Sequence, residues 1–175
     1  MNVNIKRLSS GAQIPQYAHA SDACFDLVAA EDVVIEPGET ALVKTGLAFE
    51  IPEGYEMQIR PRSGITLKTK LRVQLGTVDC GYTGEVGVIV DNIAEVVEET
   101  DYIATSVMGE TIMLSIPLGY VKYNAYLIRK GDRIAQAVIK PVEQAAFTEV
   151  AELDDSDRGA GGFGSSGVTH LSEEV

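Results

Sequence analysis

The 175 residues carry 26 acidic against 14 basic side chains, a formal charge of −12, with 45% hydrophobic and 23% charged residues. That balance supports one globular domain with a real core, and its sign repels polyphosphate backbones, which excludes a general nucleic-acid binder. No apolar run reaches the roughly 18 residues of a membrane span, and Cys24 and Cys80 form no CxxC pair that would argue for zinc. The expectation is a cytoplasmic chain with reduced thiols and no secretory leader.

Short segments rich in Val, Ile, Thr and Tyr, cut by Gly or Pro, follow one another in the manner of a sandwich or barrel. Strands are predicted over residues 33–35, 41–51, 55–59, 86–90, 123–128 and 134–139. Turns fall at Pro37-Gly38 and at Pro52-Glu53-Gly54. One helical turn is predicted at 66–70, after Ser63-Gly64. Residues 93–121 hold five acids and no base, with hairpin-like segments at 102–107 and 111–118 around Gly109. This reads as an insertion with its own small strands. Residues 1–151 form the predicted β domain, and 152–175 a mobile, glycine-rich arm.

Five polar motifs occur in order. In Ala20-Ser21-Asp22-Ala23-Cys24-Phe25-Asp26-Leu27, neighbouring His19, Ser21 and Asp22 cannot act as a triad, because adjacent extended residues point to opposite faces. A carboxylate serving a hydrated Mg2+ is the better use, against a plain solvated turn. Arg60-Pro61-Arg62-Ser63-Gly64-Ile65 offers N–H groups, a hydroxyl and a guanidinium to a phosphate, or only an N-cap.

The third motif, from Gly76-Thr77-Val78-Asp79 to Tyr82 and Glu85, reads as a tight hairpin whose glycines take unusual dihedrals. Its tip exposes backbone groups that suit a pyrimidine edge, Tyr82 suits a sugar face, and Asp79 suits a water awaiting deprotonation. A simple Asp-capped turn is the bland alternative. In Lys130-Gly131-Asp132-Arg133-Ile134-Ala135-Gln136, Gln136 sits in an apolar run and needs polar partners. In the arm, five glycines in ten residues surround Arg158, Phe163, Ser165 and Ser166. Such a stretch builds no core element, yet Arg suits phosphate and a lone ring suits a base face.

The ordered set, over about residues 17–92 and 122–168, resembles the trimeric dUTPase (dUTP diphosphatase) family. The resemblance implies an all-β, distorted jelly-roll barrel or sandwich with one short helix and a flexible C-terminal arm. It also implies a homotrimer with active sites at subunit contacts, and Mg2+-dependent hydrolysis of dUTP to dUMP and pyrophosphate. Carried over by position, Asp79 activates the attacking water and Tyr82 stacks on deoxyribose. Gly76, Thr77 and Val78 read uracil by backbone. Arg62, Ser63 and Gly64 bind phosphates, and Gln136 contacts the α-phosphate and the water. Asp26 holds the magnesium hydration shell. Arg158, Gly164, Ser165 and Ser166 grip the γ-phosphate end, and Phe163 covers the base.

Cys24 departs from the family's usual glycine, and Val73-Gln74 stands where many members place an asparagine that holds uracil. The segment at 93–121 resembles the extra segment of dUTPases from phages of Gram-positive bacteria, some of which bind a repressor. A repressor-type protein partner at this segment, and a host-cytoplasm location, follow as expectations. Deletion of residues 94–120 is expected to leave catalysis largely intact and to abolish partner binding. Two readings compete with the diphosphatase: a dCTP deaminase-like enzyme on the same fold, and a purely regulatory binding protein.

Overall fold

A computed structural model describes residues 1–97, 100–101, 103–113 and 121–162. The chain opens with β1 (Asn4–Arg7), β2 (Phe25–Val28), β3 (Val33–Ile35), β4 (Thr40–Glu50) and β5 (Tyr55–Arg60). Helix α1 (Ser63–Lys68) follows, then β6 (Leu71–Val73), β7 (Gly76–Asp79) and β8 (Val86–Asn92). The predicted insertion holds β9 (Thr100–Asp101), β10 (Ile103–Ser106), β11 (Thr111–Met113) and the start of β12 (Val121–Lys122). Strands β13 (Tyr126–Ile128) and β14 (Arg133–Pro141) close the set. Tyr102 and residues 114–118 of the predicted inserted strands lie outside the described residues.

Three four-stranded sheets, ordered β1-β4-β8-β6, β2-β14-β5-β7 and β11-β10-β13-β3, enclose one apolar core, with β9 and β12 paired as a ribbon. Strict alternation makes this possible. In β2, Phe25 and Leu27 are buried while Asp26 and Val28 face outward; in β8, Val86, Val88 and Val90 point inward. Leu27, Ile35, Val43, Met57, Leu71 and Ile134 meet at the centre with almost no exposure. The all-β jelly-roll-like expectation with one short helix is borne out.

Three local expectations are corrected. The helix begins at Ser63, not Thr66, because Arg62 takes the N-cap position without a side-chain cap bond. The last-but-one strand begins at Tyr126, because Asn124 adopts φ 70° and breaks the extended run. The third motif is not a two-stranded hairpin. Strand β7 pairs with β5, whereas β8 lies between β4 and β6 in another sheet. The turn after Asp79 therefore carries the chain from one sheet to the next.

The inserted segment does not form a separate lobe. Its β10 joins the edge of β13 in parallel, Thr105 opposite Tyr126, and β11 adds outside it. A small cluster of Ala104, Ala125 and Leu127 seals this junction. Asn92, 1% exposed, closes the neck: its amide donates to the carbonyls of Ile35 and Asn124, both at 3.0 Å, and its oxygen accepts from Ala94 N–H at 3.0 Å. One side chain thus ties both ends of the segment.

The chain divides into two compact units, Met1–Glu143 and Gln144–Val175. The described part of the second ends at Gly162.

Candidate active site

The outward residues of β2, β5 and β14 share one face of their sheet. Gln136 stands opposite Asp26 on one side and Arg60 on the other. At the end of this face, α1 and the turn before β14 enclose a cleft of about 680 Å³. Asp26, Arg62, Ser63, Gly64 and Gln136 all line it, so the structure brings together the five phosphate and metal candidates of the first, second and fourth motifs.

The cleft is pre-organised by its own side chains. Asp26 Oδ1 lies 2.9 Å from Arg62 Nε, and its Oδ2 lies 3.1 Å from an Arg133 guanidinium nitrogen. Arg62 also donates to the Arg133 carbonyl at 2.9 Å. Its guanidinium is therefore aimed by two fixed acceptors, and its planar fork loses little further freedom on meeting a phosphate. Gln136 donates from Nε2 to the Pro61 carbonyl at 2.9 Å. That bond fixes the chain just before α1 and answers the question of what this half-buried amide pairs with. Gly131, at φ 96°, makes the tight turn that delivers Arg133 and Gln136, and Asp132 caps it by accepting from Arg129 N–H at 2.8 Å.

Three charged cleft residues were given no role by the sequence reading, Arg133, Lys68 and Asp132, and Asp22 was considered there only as a triad member. The signal for Lys68 was present, since it follows Gly64 by one helical repeat and shares its face. Arg133 lies inside a motif whose glutamine drew attention first. Cys24 also lines the cleft, and Asn124 is the only non-glycine among the described residues with positive φ. Cysteine therefore occupies the usual glycine position without backbone strain.

Among the described residues no group of three or more His, Cys, Asp or Glu side chains converges as a metal cage. Asp26 gives two of its lone-pair positions to guanidinium groups and keeps others for water. That donor set fits a hydrated Mg2+ shared with phosphate oxygens, not an ion caged by protein.

The third motif lies elsewhere on the same sheet. Asp79 is exposed and stands opposite Glu56, while Gln136 stands opposite Arg60. The step from Glu56 to Arg60 is roughly 13 Å of strand, and two strand spacings add about 10 Å across, which puts Asp79 about 16 Å from Gln136. Tyr82 folds over its own turn: its N–H donates to Asp79 O at 3.0 Å and its hydroxyl to Glu85 O at 2.9 Å. A Cβ at Gly84 would meet the Tyr82 hydroxyl at 2.6 Å, and one at Gly76 would meet Ile59 at 3.2 Å. These glycines, like Gly81, do not adopt positive φ. The expectation of unusual dihedrals is corrected, and Gly76 and Gly84 supply clearance instead. Thr77 is exposed and Val78 is buried beneath the turn. Gln74 donates to the Asp91 carboxylate on the neighbouring strand, so its side chain is engaged away from the Asp79 turn.

In the second unit, Arg158 Nε donates to Gly161 O at 2.7 Å within a glycine turn, with Gly159 at φ 52°. Phe163, Gly164, Ser165 and Ser166 lie outside the described residues.

A jelly-roll β protein with an arginine-lined cleft and a detached aspartate turn defines a class of phosphate-handling enzyme. The sequence model of the dUTPase family matches residues 10–118 and 114–167. The chain belongs to the dUTPase family. A deoxyuridine 5′-triphosphate nucleotidohydrolase of Thermobifida fusca is 47% identical, over 95% of this chain and 79% of that protein. One of Nautilia profundicola is 44% identical, over 95% and 99%. Among solved structures, the Staphylococcus bacteriophage 80alpha dUTPase with dUpNHpp superposes with a TM-score of 0.89 at 39% identity, over 95% and 99%. The dUTPase of phage phi11 of S. aureus, described for its species-specific insert, gives 0.82 at 34%, over 89% and 100%. The resemblance to the family, including its phage-type members, is borne out, and proteins of similar length occur among bacterial and phage relatives alike.

Proposed function

We propose that this dUTPase hydrolyses dUTP to dUMP and pyrophosphate by attack of an Asp79-activated water on the α-phosphorus. The new bond joins water oxygen to phosphorus, the bond from phosphorus to the α,β-bridging oxygen breaks, and Asp79 takes the proton. The observation that carries the reading is the cleft where Arg62, Arg133, Lys68, Ser63 and Gln136 converge in a protein of charge −12. Those three cations offset the Asp22, Asp26 and Asp132 carboxylates that line the same cleft, which makes it a neutral patch in an acidic chain, where a polyanion carrying its Mg2+ meets less repulsion than elsewhere.

Arg62 and Arg133 offer their remaining N–H donors to the phosphate chain. Gln136 orients the phosphate and the water through its amide oxygen, to which no described residue donates. Tyr82 packs on deoxyribose, and the backbone of residues 76–82 reads uracil. When bound, Mg2+ neutralises triphosphate charge and polarises the phosphorus centre, and Asp26 and Asp22 would hold its water shell. The family resemblance gives the arm, through Arg158 and Phe163, the role of excluding bulk water during the reaction. Product dUMP feeds dTTP synthesis, and dUTP is kept from DNA.

Because Asp79 stands about 16 Å from Gln136 within one subunit, a second copy supplies the aspartate. The family resemblance implies that the assembly is a homotrimer with three such composite sites. The segment at 93–121 remains a protein-docking candidate: β11 is the edge of its sheet, and Met113 is 82% exposed there. The 80alpha enzyme is described as controlling transfer of virulence genes, which supports a protein partner for this fold.

The test is pyrophosphate release from dUTP with Mg2+, run beside dCTP, dTTP and UTP, with Asp79→Asn as control. Release from dUTP alone, lost in the variant, supports the reading. Turnover of dCTP would favour the deaminase, and no turnover of any nucleotide would favour a regulatory protein.

A further inference from the structure

The inserted segment reaches the cleft. Val107 and Met108, in the turn between β10 and β11, line it together with Lys68 of α1. This contact is built, not incidental. Val107 is 6% exposed and belongs to the main core cluster, not to the small cluster at the insertion's own junction. Ser106 locks the turn. Its hydroxyl accepts from Met108 N–H at 3.2 Å and Glu110 N–H at 3.0 Å, and its carbonyl accepts from Gly109 N–H at 2.9 Å. Gly109 adopts φ 80°, and a Cβ there would lie 3.0 Å from the Lys68 carbonyl. Only glycine lets the turn close this tightly on the last turn of α1. Asn92 fixes the neck of the same segment.

We infer that the β10–β11 turn is a wall of the substrate cleft, with Val107 positioning α1 and Met108 facing the bound polyphosphate. The inference rests on the dUTP hydrolysis proposed above. Met108 is 54% exposed, and its thioether has no donor to lose, so its replacement leaves the fold intact. It is a position where charge alone can be varied beside the phosphates. Removing residues 94–120 would remove this wall, so catalysis would not survive that deletion unchanged, contrary to the expectation from sequence.

The test is a charge series at Met108, read as KM and kcat for dUTP and as calorimetric affinity for inorganic pyrophosphate with Mg2+. Met108→Glu raises KM and weakens pyrophosphate binding roughly tenfold at low salt, with kcat changed less than about twofold, and the effect shrinks as salt is added. Met108→Lys shifts both in the opposite direction. Val107→Ala raises KM without the salt dependence. A purely structural turn would not respond to the sign of the charge. Met108→Glu and Met108→Lys both within about twofold of wild type, with wild type hydrolysing dUTP, would overturn the inference. A wild type inactive on dUTP would instead overturn the proposed reaction, and the pyrophosphate titration would still decide whether Met108 faces the anion.

Discussion

The cleft beside α1 and the turn carrying Asp79 lie on one sheet but are built on opposite plans. In the cleft, side chains already engage one another: Asp26 holds two arginines and Gln136 holds the Pro61 carbonyl. At the turn, Asp79 is exposed, and Tyr82 satisfies its hydroxyl on its own backbone. A site whose binding half is finished and whose proposed base stands some 16 Å away is half a site. The difference teaches that affinity and chemistry are separately mutable, and that the proposed mechanism needs a neighbouring copy to join them.

The largest expected effect breaks the turn alone. Asp79→Asn lowers kcat roughly a thousandfold, the range of a lost general base, with little change in KM. Steady-state kinetics on dUTP read the split, and a parallel rise in KM would mean that Asp79 belongs to binding. Arg62→Ala breaks the cleft alone. It removes a charge-assisted contact and frees Asp26, lowering kcat/KM about a hundredfold. Arg62→Lys recovers only part of this, since an ammonium cannot reproduce the fork. Asn92→Ala touches neither half directly. It leaves the carbonyls of Ile35 and Asn124 unpaired in the interior, costing about 2 kcal/mol and about 4–8 °C in Tm. Because it loosens the insertion behind the cleft, any kinetic change should appear in KM. The smallest effect is at Cys24→Gly, where no backbone strain exists to relieve; stability and kcat/KM stay within about 1 kcal/mol of wild type.

The legibility of the sequence follows the same division. Strands with clear alternation, such as β5 and β8, were readable because one-sided burial imposes period two, whereas β2, embedded in a polar motif, was missed. The cleft residues were readable because motifs of charge and glycine survive in local sequence. The pairing of β7 with β5 was not, because a short strand between two turns carries no mark of its partner. Nor was the role of Val107, whose burial depends on a parallel pairing with a strand twenty residues on. Gly84 was misread for a related reason: clearance for the Tyr82 ring and positive φ leave the same letter in the chain.

The central claim, that one subunit's cleft is completed by another's aspartate, is tested most directly by mixing the two crippled variants. Asp79→Asn and Arg62→Ala chains, each nearly inactive alone, are co-expressed or refolded together and assayed on dUTP with Mg2+. Random assembly should restore about a quarter of wild-type activity, because some contacts then pair an intact cleft with an intact aspartate. Mixed oligomers that form and remain inactive would contradict the account, and would mean that each chain completes its own site.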